Sequence, residues 1–205
     1  MSNPKIIQQG AEAIIIKNKN LIVKDRIKKS YRIQEIDEKL RKTRTKKETN
    51  LLEKASSIIN SPKPLLTKNK FEIKIPYING KKLSEHLDKL PDKLAKETCI
   101  KIGQSIAKLH DNNIIHGDLT TSNIILTNDG KVWFIDFGLG FNSERFEDKA
   151  VDLHLIKQAL EAKHFNKWQE YWKSIESGYK FSKNFSKTLE HLKKVESRGR
   201  YKDKY

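Results

Sequence analysis

Two hydrophobic rhythms alternate along the chain. Residues 11–16 (AEAIII) and 21–24 (LIVK) are short β-branched runs joined by KNKN. Lys-Asn pairs turn readily, so the spacing predicts a β-hairpin. Over residues 31–59 the period lengthens. A wheel at about 100° per residue gathers Ile33, Ile36, Leu40, Leu51, Leu52, Ala55, Ile58 and Ile59 on one face. Pro62 and Pro64 close that segment. Glu48 falls on the apolar side of this helix and Glu53 on the opposite side. Arg44 also falls on the apolar side, which points to a bend or split there. Residues 70–78 (KFEIKIPYI) alternate as a strand does, and Asn79-Gly80 is a turn signal. Ser84 is placed to cap a short helix ending before Pro91. A longer helix over 94–111 carries Leu94, Ile102, Ile106 and Leu109 on its apolar side. Apolar runs at 124–126 and 132–135 flank Asn128-Asp129-Gly130 and predict a second hairpin. From Ala150 onward the pattern is helical.

This order predicts an α+β chain. A small β-rich lobe with one helix occupies residues 1–78, a mainly helical lobe occupies 79–196, and a basic tail occupies 197–205. A length of 205 residues suits a single domain.

Charge narrows the range of partners. The chain holds 42 basic and 26 acidic residues, a formal net charge of +16. Such an excess attracts polyanions. It is concentrated at residues 39–47 (KLRKTRTKK), where Lys39, Arg41, Lys42, Arg44, Lys46 and Lys47 cluster. A second concentration lies in the terminal KKVESRGRYKDKY, which contains Arg198 and Arg200. No basic stretch is paired with a Trp/Phe-rich apolar face, so nucleic acid is favoured over lipid. One cysteine, Cys99, excludes an internal disulfide framework and cysteine-based zinc modules. No apolar run approaches the roughly 20 residues of a membrane span. The first ten residues lack the apolar core of a signal peptide. The expected location is the cytoplasm.

The most informative stretch is 115–138, IHGDLTTSNIILTNDGKVWFIDFG. A hairpin between Asn123 and Asp136 returns its two ends to one place, so Asp118, Asn123 and Asp136 converge. Oxygen ligands of this kind suit Mg2+, which takes one or two protein carboxylates and fills its shell with phosphate oxygens and water. The remaining carboxylate is then free to accept a proton from an attacking hydroxyl.

H-G-D-L-x-x-x-N followed by I-D-F-G resembles the H-R-D-L-x-x-x-N and D-F-G pair of protein kinases. The resemblance implies a reduced, bilobal protein-kinase-like fold that binds ATP with Mg2+. Asp118 is then the catalytic base, and Asn123 and Asp136 hold the metal. Lys24 takes the place of the strand lysine that meets the phosphates. Glu48 is its helix partner, because a glutamate on an apolar face needs one. The nucleotide-covering loop is Gln9-Gly10-Ala11-Glu12-Ala13, with one glycine where protein kinases carry three. Ile75-Pro76-Tyr77-Ile78 reads as the hinge, with the Pro76 carbonyl and the Ile78 amide facing adenine.

QGAEA, HGDLTTSN, DFGL, EDKAVDL and a terminal RGR together resemble the small atypical kinase subunit of the KEOPS (EKC) complex. That is the Bud-thirty-two family, related to RIO-type kinases. The resemblance implies an atypical Ser/Thr kinase with ATPase activity. It also implies a partner subunit that makes threonylcarbamoyladenosine at position 37 of tRNA, other KEOPS subunits, and tRNA contacts through the basic clusters. Asp152 resembles the aspartate that braces the catalytic loop, and His116 a buried brace. The chain departs from ordinary protein kinases in lacking A-P-E, in its short segment after Gly138, and in Thr120, where Ser/Thr kinases carry a lysine. Two other readings stay open: a small-molecule kinase, for which a substrate-binding insert is missing, and a nucleotide-bound RNA scaffold with little turnover.

Overall fold

A computed structural model describes residues 4–199. The N-terminal sheet has four antiparallel strands in chain order: β1 (Lys5–Gln9), β2 (Ala13–Asn18), β3 (Leu21–Arg26) and β4 (Glu72–Pro76). The β2–β3 hairpin closes through Lys19, whose φ of 53° is left-handed. Between β3 and β4 runs α1 (Gln34–Ser56), unbroken at Arg44. The bend expected there is absent because Arg44 turns sideways to Glu12 instead of inward. Only the second half of α1 buries its apolar face, through Leu51, Leu52 and Ala55. Ile33, Ile36 and Leu40, expected on the same buried face, are exposed.

The second lobe begins with β5 (Gly80–Lys82) and α2 (Leu83–His86). Ser84 lies inside α2, and Lys82 takes the cap position without a side-chain bond. Next come α3 (Asp92–Asp111), β6 (Ile114–Ile115), β7 (Ile124–Thr127), β8 (Val132–Phe134) and β9 (Phe141–Asn142). Strands β5, β7 and β8 form one small sheet, and β6 pairs with β9. Three helices finish the lobe: α4 (Phe146–Lys163), α5 (Trp168–Tyr179) and α6 (Phe185–Gly199). Helix α4 starts four residues before Ala150, with acidic Glu147 and Asp148 in its first turn, where they favour the helix dipole.

Ile102, Ile106 and Leu109 of α3 are fully buried with Phe134, Phe137, Leu153, Ile156 and Tyr179. Each such side chain contributes roughly 1.5–3 kcal/mol relative to exposure. Leu94, expected on this face, is exposed at the start of the helix. Trp172 is buried, Trp168 packs against the same core, and Cys99 is buried. Burial pushes the Cys99 thiol up to about 12, so it is a packing residue. This core fixes the strand ends and loops that carry the polar residues of the motif.

Candidate active site

The loop between β6 and β7 is held from below by α4. The buried Asp152 carboxylate accepts the backbone N–H of His116 at 2.7 Å and that of Gly117 at 2.9 Å. Burial alone would raise its pKa. The hydrogen bond from His110 and that of the His116 backbone N–H outweigh burial and hold it below the usual carboxylate value. His110 lies between Asp152 (3.3 Å) and the Tyr179 hydroxyl (2.9 Å), so the brace continues into α5.

His116 is buried and its protonation is dictated by its neighbours. Nε2 donates to the Ile135 carbonyl at 3.1 Å, and Nδ1 accepts the Asp118 N–H at 3.3 Å. One nitrogen must carry hydrogen and the other must not, which is a neutral imidazole. Burial lowers its pKa, and nearby Asp152 offsets this only in part.

The β7–β8 hairpin brings Asn123 and Asp136 together, with the Ile135 N–H donating to the Asn123 carbonyl at 3.0 Å. Asn123 Nδ2 donates to both the Asp118 carboxylate (2.8 Å) and the Asp118 carbonyl (2.9 Å). That orientation leaves the Asn123 amide oxygen without a partner among the described residues. Asp136 has a left-handed φ of 62°, a strained conformation of the kind that clusters at functional sites.

Lys24 links the lobes. Its ammonium lies 2.8 Å from Glu48 Oε1 and 2.7 Å from Asp136 Oδ1. Burial would lower the Lys24 pKa, but the two carboxylates outweigh it and raise it. Burial would raise Asp136, but the Lys24 charge and hydrogen bond hold it down. Glu48 is buried as the helical wheel requires, and Glu53 is exposed.

Beside this charged cluster is a cleft of about 360 Å³. Its walls are apolar: Ile15, Ile22, Ile73, Ile75, Ile125 and Ile135. Pro76, Tyr77 and Ile78 form one edge, and Lys24, Asn123 and Asp136 form the polar end. The Ile78 amide finds no acceptor among the described residues. A flat aromatic ring fits the apolar slot, with its phosphates at the polar end. Among the described residues no group of three His, Cys, Asp or Glu makes a metal cage. One carboxylate and one free amide oxygen are nevertheless the sparse set that Mg2+ accepts when phosphates complete its shell.

The covering loop lies differently from its sequence expectation. Gly10 N–H closes onto the Ala13 carbonyl at 2.9 Å. Glu12 turns away to Arg44 and Arg32, and Lys29 holds the Ala11 carbonyl. Ile7 and Gln8 line the cleft, while residues 10–13 do not. Paired arginines outside the cleft draw Glu12 toward α1.

The family model described as the protein kinase domain matches residues 7–154. The chain is 42% identical over 216 residues to the KEOPS complex subunit Bud32 of Pyrococcus abyssi, covering 98% of this chain and 97% of that protein. The chain belongs to the Bud32 family of protein kinases. A second member, the EKC/KEOPS complex subunit BUD32 of Enterocytozoon bieneusi, is 40% identical over 97% of this chain and 99% of its own length. A probable bifunctional tRNA threonylcarbamoyladenosine biosynthesis protein of Methanobrevibacter smithii is 45% identical, and the chain covers 36% of its length. In that protein the Bud32-like part is one portion of a longer chain. The Rio2 kinase of Chaetomium thermophilum, solved as an ADP/Mg2+-phosphoaspartate complex, superposes with a TM-score of 0.58 at 16% identity. The match covers 97% of this chain and 71% of that one, a likeness of fold.

The basic cluster of this Bud32-family chain divides in two. Lys39, Lys42, Lys46 and Lys47 are exposed. Arg41 is turned inward onto Asp37 at 2.7 Å and stacks 4.0 Å over the Phe71 ring. Arg198 pairs with Glu147 at 2.6 Å, and Arg200 lies outside the described residues. Sequence reasoning missed Arg26, which bonds Glu48. The strand period, which sets Arg26 on the same side as Lys24, was the signal that could have found it.

Proposed function

We propose that the chain is the ATP-dependent atypical Ser/Thr kinase and ATPase subunit of a KEOPS complex. It serves threonylcarbamoyladenosine formation at position 37 of tRNA, beside the threonylcarbamoyl transferase subunit and other KEOPS subunits in the cytoplasm. The observation that carries this reading is the meeting of Lys24, Glu48 and Asp136 at the polar end of the cleft. It is joined by the match to KEOPS subunits along nearly their whole length. No helix among the described residues is long and apolar enough to cross a membrane.

In this reading the apolar slot holds adenine, with the Pro76 carbonyl and Ile78 amide at its edge. Lys24 holds the α- and β-phosphates and Glu48 orients it. Asn123 and Asp136 hold Mg2+, which when bound neutralises charge developing on the phosphates. Asp118, oriented by Asn123 Nδ2, accepts the proton of the attacking hydroxyl or water. Only residues 139–145 separate the D-F-G stretch from α4, leaving little platform for a peptide. That shortness favours ATP hydrolysis coupled to a partner over phosphorylation of free proteins.

The test is Mg2+-dependent ATP turnover by the chain alone and with its transferase partner plus tRNA. Turnover should rise with the partner and fall by about 100-fold or more in Asp136→Ala, as expected for loss of a group that acts on the transition state. Equal background in both proteins would leave the scaffold reading instead.

A further inference from the structure

We propose that Arg26 is a positioning residue that anchors Glu48, and with it α1, in the inward placement independently of Lys24. This rests on reading Lys24 and Glu48 as the phosphate-holding pair.

The argument begins with the strand period. Residues two apart on β3 share a face, so Lys24 and Arg26 both point at α1. They divide one carboxylate between them. Glu48 Oε1 takes Lys24 at 2.8 Å, and Oε2 takes Arg26 Nη2 at 2.5 Å. Arg26 and Glu48 are the more deeply buried pair, with side-chain exposures of 5% and 2% against 15% for Lys24.

Lys24 has competing obligations. Its ammonium already touches Asp136, and the proposed chemistry requires it to face phosphates as well. A glutamate held by such a lysine alone would be a buried carboxylate whose partner leaves, which is strongly destabilising. Arg26 keeps the second oxygen bonded whatever Lys24 does. A guanidinium is suited to this because its planar fork meets carboxylates with little loss of freedom.

A second tether makes the arrangement rigid. Arg41 of α1 donates to the Arg26 carbonyl at 3.2 Å, while the Arg26 N–H donates to the Phe71 carbonyl at 3.1 Å. One arginine reaches from strand to helix and the other from helix to strand. Arg41 and Glu48 are seven residues apart, two turns along the same face, so the pair resists both rolling and outward swing of α1. Arg26 Nε is buried without a partner among the described residues. A guanidinium serving stability alone would be expected to satisfy that donor. Here Nη2 meets Glu48 and Nε is left unpaired.

Hydrogen exchange of the amides over residues 45–52 tests the proposal directly. Lys24→Met should leave their exchange within about threefold of the unsubstituted protein. Arg26→Met should accelerate it by about tenfold or more, and Arg26→Lys should restore most of the protection. Turnover should follow, with kcat of Arg26→Met falling about tenfold while KM for MgATP moves less than about threefold. Equal acceleration in Lys24→Met and Arg26→Met, or protection in Arg26→Met like that of the unsubstituted chain, would overturn the proposal. Should Arg26→Met fail to fold, Lys24→Met and Arg26→Lys decide: the proposal stands if both stay protected and falls if Lys24→Met alone loses protection. If the unsubstituted chain shows no turnover that Asp136→Ala removes, the active-site reading fails, and the exchange measurements still judge Arg26.

Discussion

Gly117 stands where ordinary protein kinases carry the arginine of H-R-D. Its φ of 78° is left-handed, and a Cβ there would run into the Leu139 carbonyl. Its amide is also one of the two held by Asp152. Gly117→Ala should therefore cost about 2 kcal/mol or more, read from the denaturant midpoint, through strain and overpacking together. His116 gives a pH signature. Its ordinary value is 6.5 and burial lowers it in the fold, so the unfolded chain binds the proton more readily. Its contribution to stability is complete above about pH 6.5 and is lost as pH falls below that value toward the folded one. Melting temperature should thus decline as pH falls below about 6.5, and His116→Phe should flatten that part of the curve. Asp136 and Asp152, lowered from 3.8, act in a separate window below about pH 4. Asp118, Asn123 and Asp136 were legible in the sequence because their spacing matches a hairpin that closes on itself. Arg26 was not, because an arginine two places after a strand lysine looks like surface until the opposing helix is in view.

At the scale of elements, the long helices were readable from their periods and the β7–β8 hairpin from its apolar runs and turn, but the shortest strands were not. Strands β6 and β9 have two residues each, too few for an alternation to register. Helix α4 begins at Phe146 because Ser143 organises the turn before it. The Ser143 hydroxyl bonds Asp148 at 2.6 Å and accepts the Arg145 N–H at 3.1 Å. No hydrophobic period announces such a start. The crossing of α3 and α5 was equally hidden. A Cβ on Gly103 would strike the Ile175 carbonyl, and one on Gly178 would strike the Ile100 carbonyl. The two backbones meet through reciprocal glycines, and α5 carries Tyr179, the end of the brace under the β6–β7 loop. Gly178→Leu should destabilise the protein by about 3 kcal/mol. It should also lower turnover at temperatures where the fold persists, because Tyr179 and His110 shift with the helix. Chemical denaturation and kinetics below the melting range check both.

Across the whole molecule, a charge of +16 describes attraction without saying where it acts. The structure separates residues that the sequence lists together. In the stretch 39–47, Arg41 is committed to Asp37, Phe71 and the Arg26 carbonyl, and Arg44 to Glu12. Lys39, Lys42, Lys46 and Lys47 remain exposed. Lys47 also borders a wide cleft of about 870 Å³ behind α1, together with Lys54, Lys63 and Phe141. Exposed lysines meet phosphates and release counterions, so their loss lowers the salt dependence of RNA binding by roughly 0.7–0.9 in log–log slope per contact. An arginine turned inward onto protein partners, as Arg41 is, has no such effect. Replacing Lys42, Lys46 and Lys47 together by Glu should weaken tRNA binding by the assembled complex and flatten its salt dependence by up to about three such steps. Arg41→Gln should instead lower the melting temperature and leave the salt slope unchanged. Titrating tRNA across a range of salt concentrations with both variants distinguishes the two roles. A steep slope retained in the lysine variant would move the RNA-facing surface away from α1.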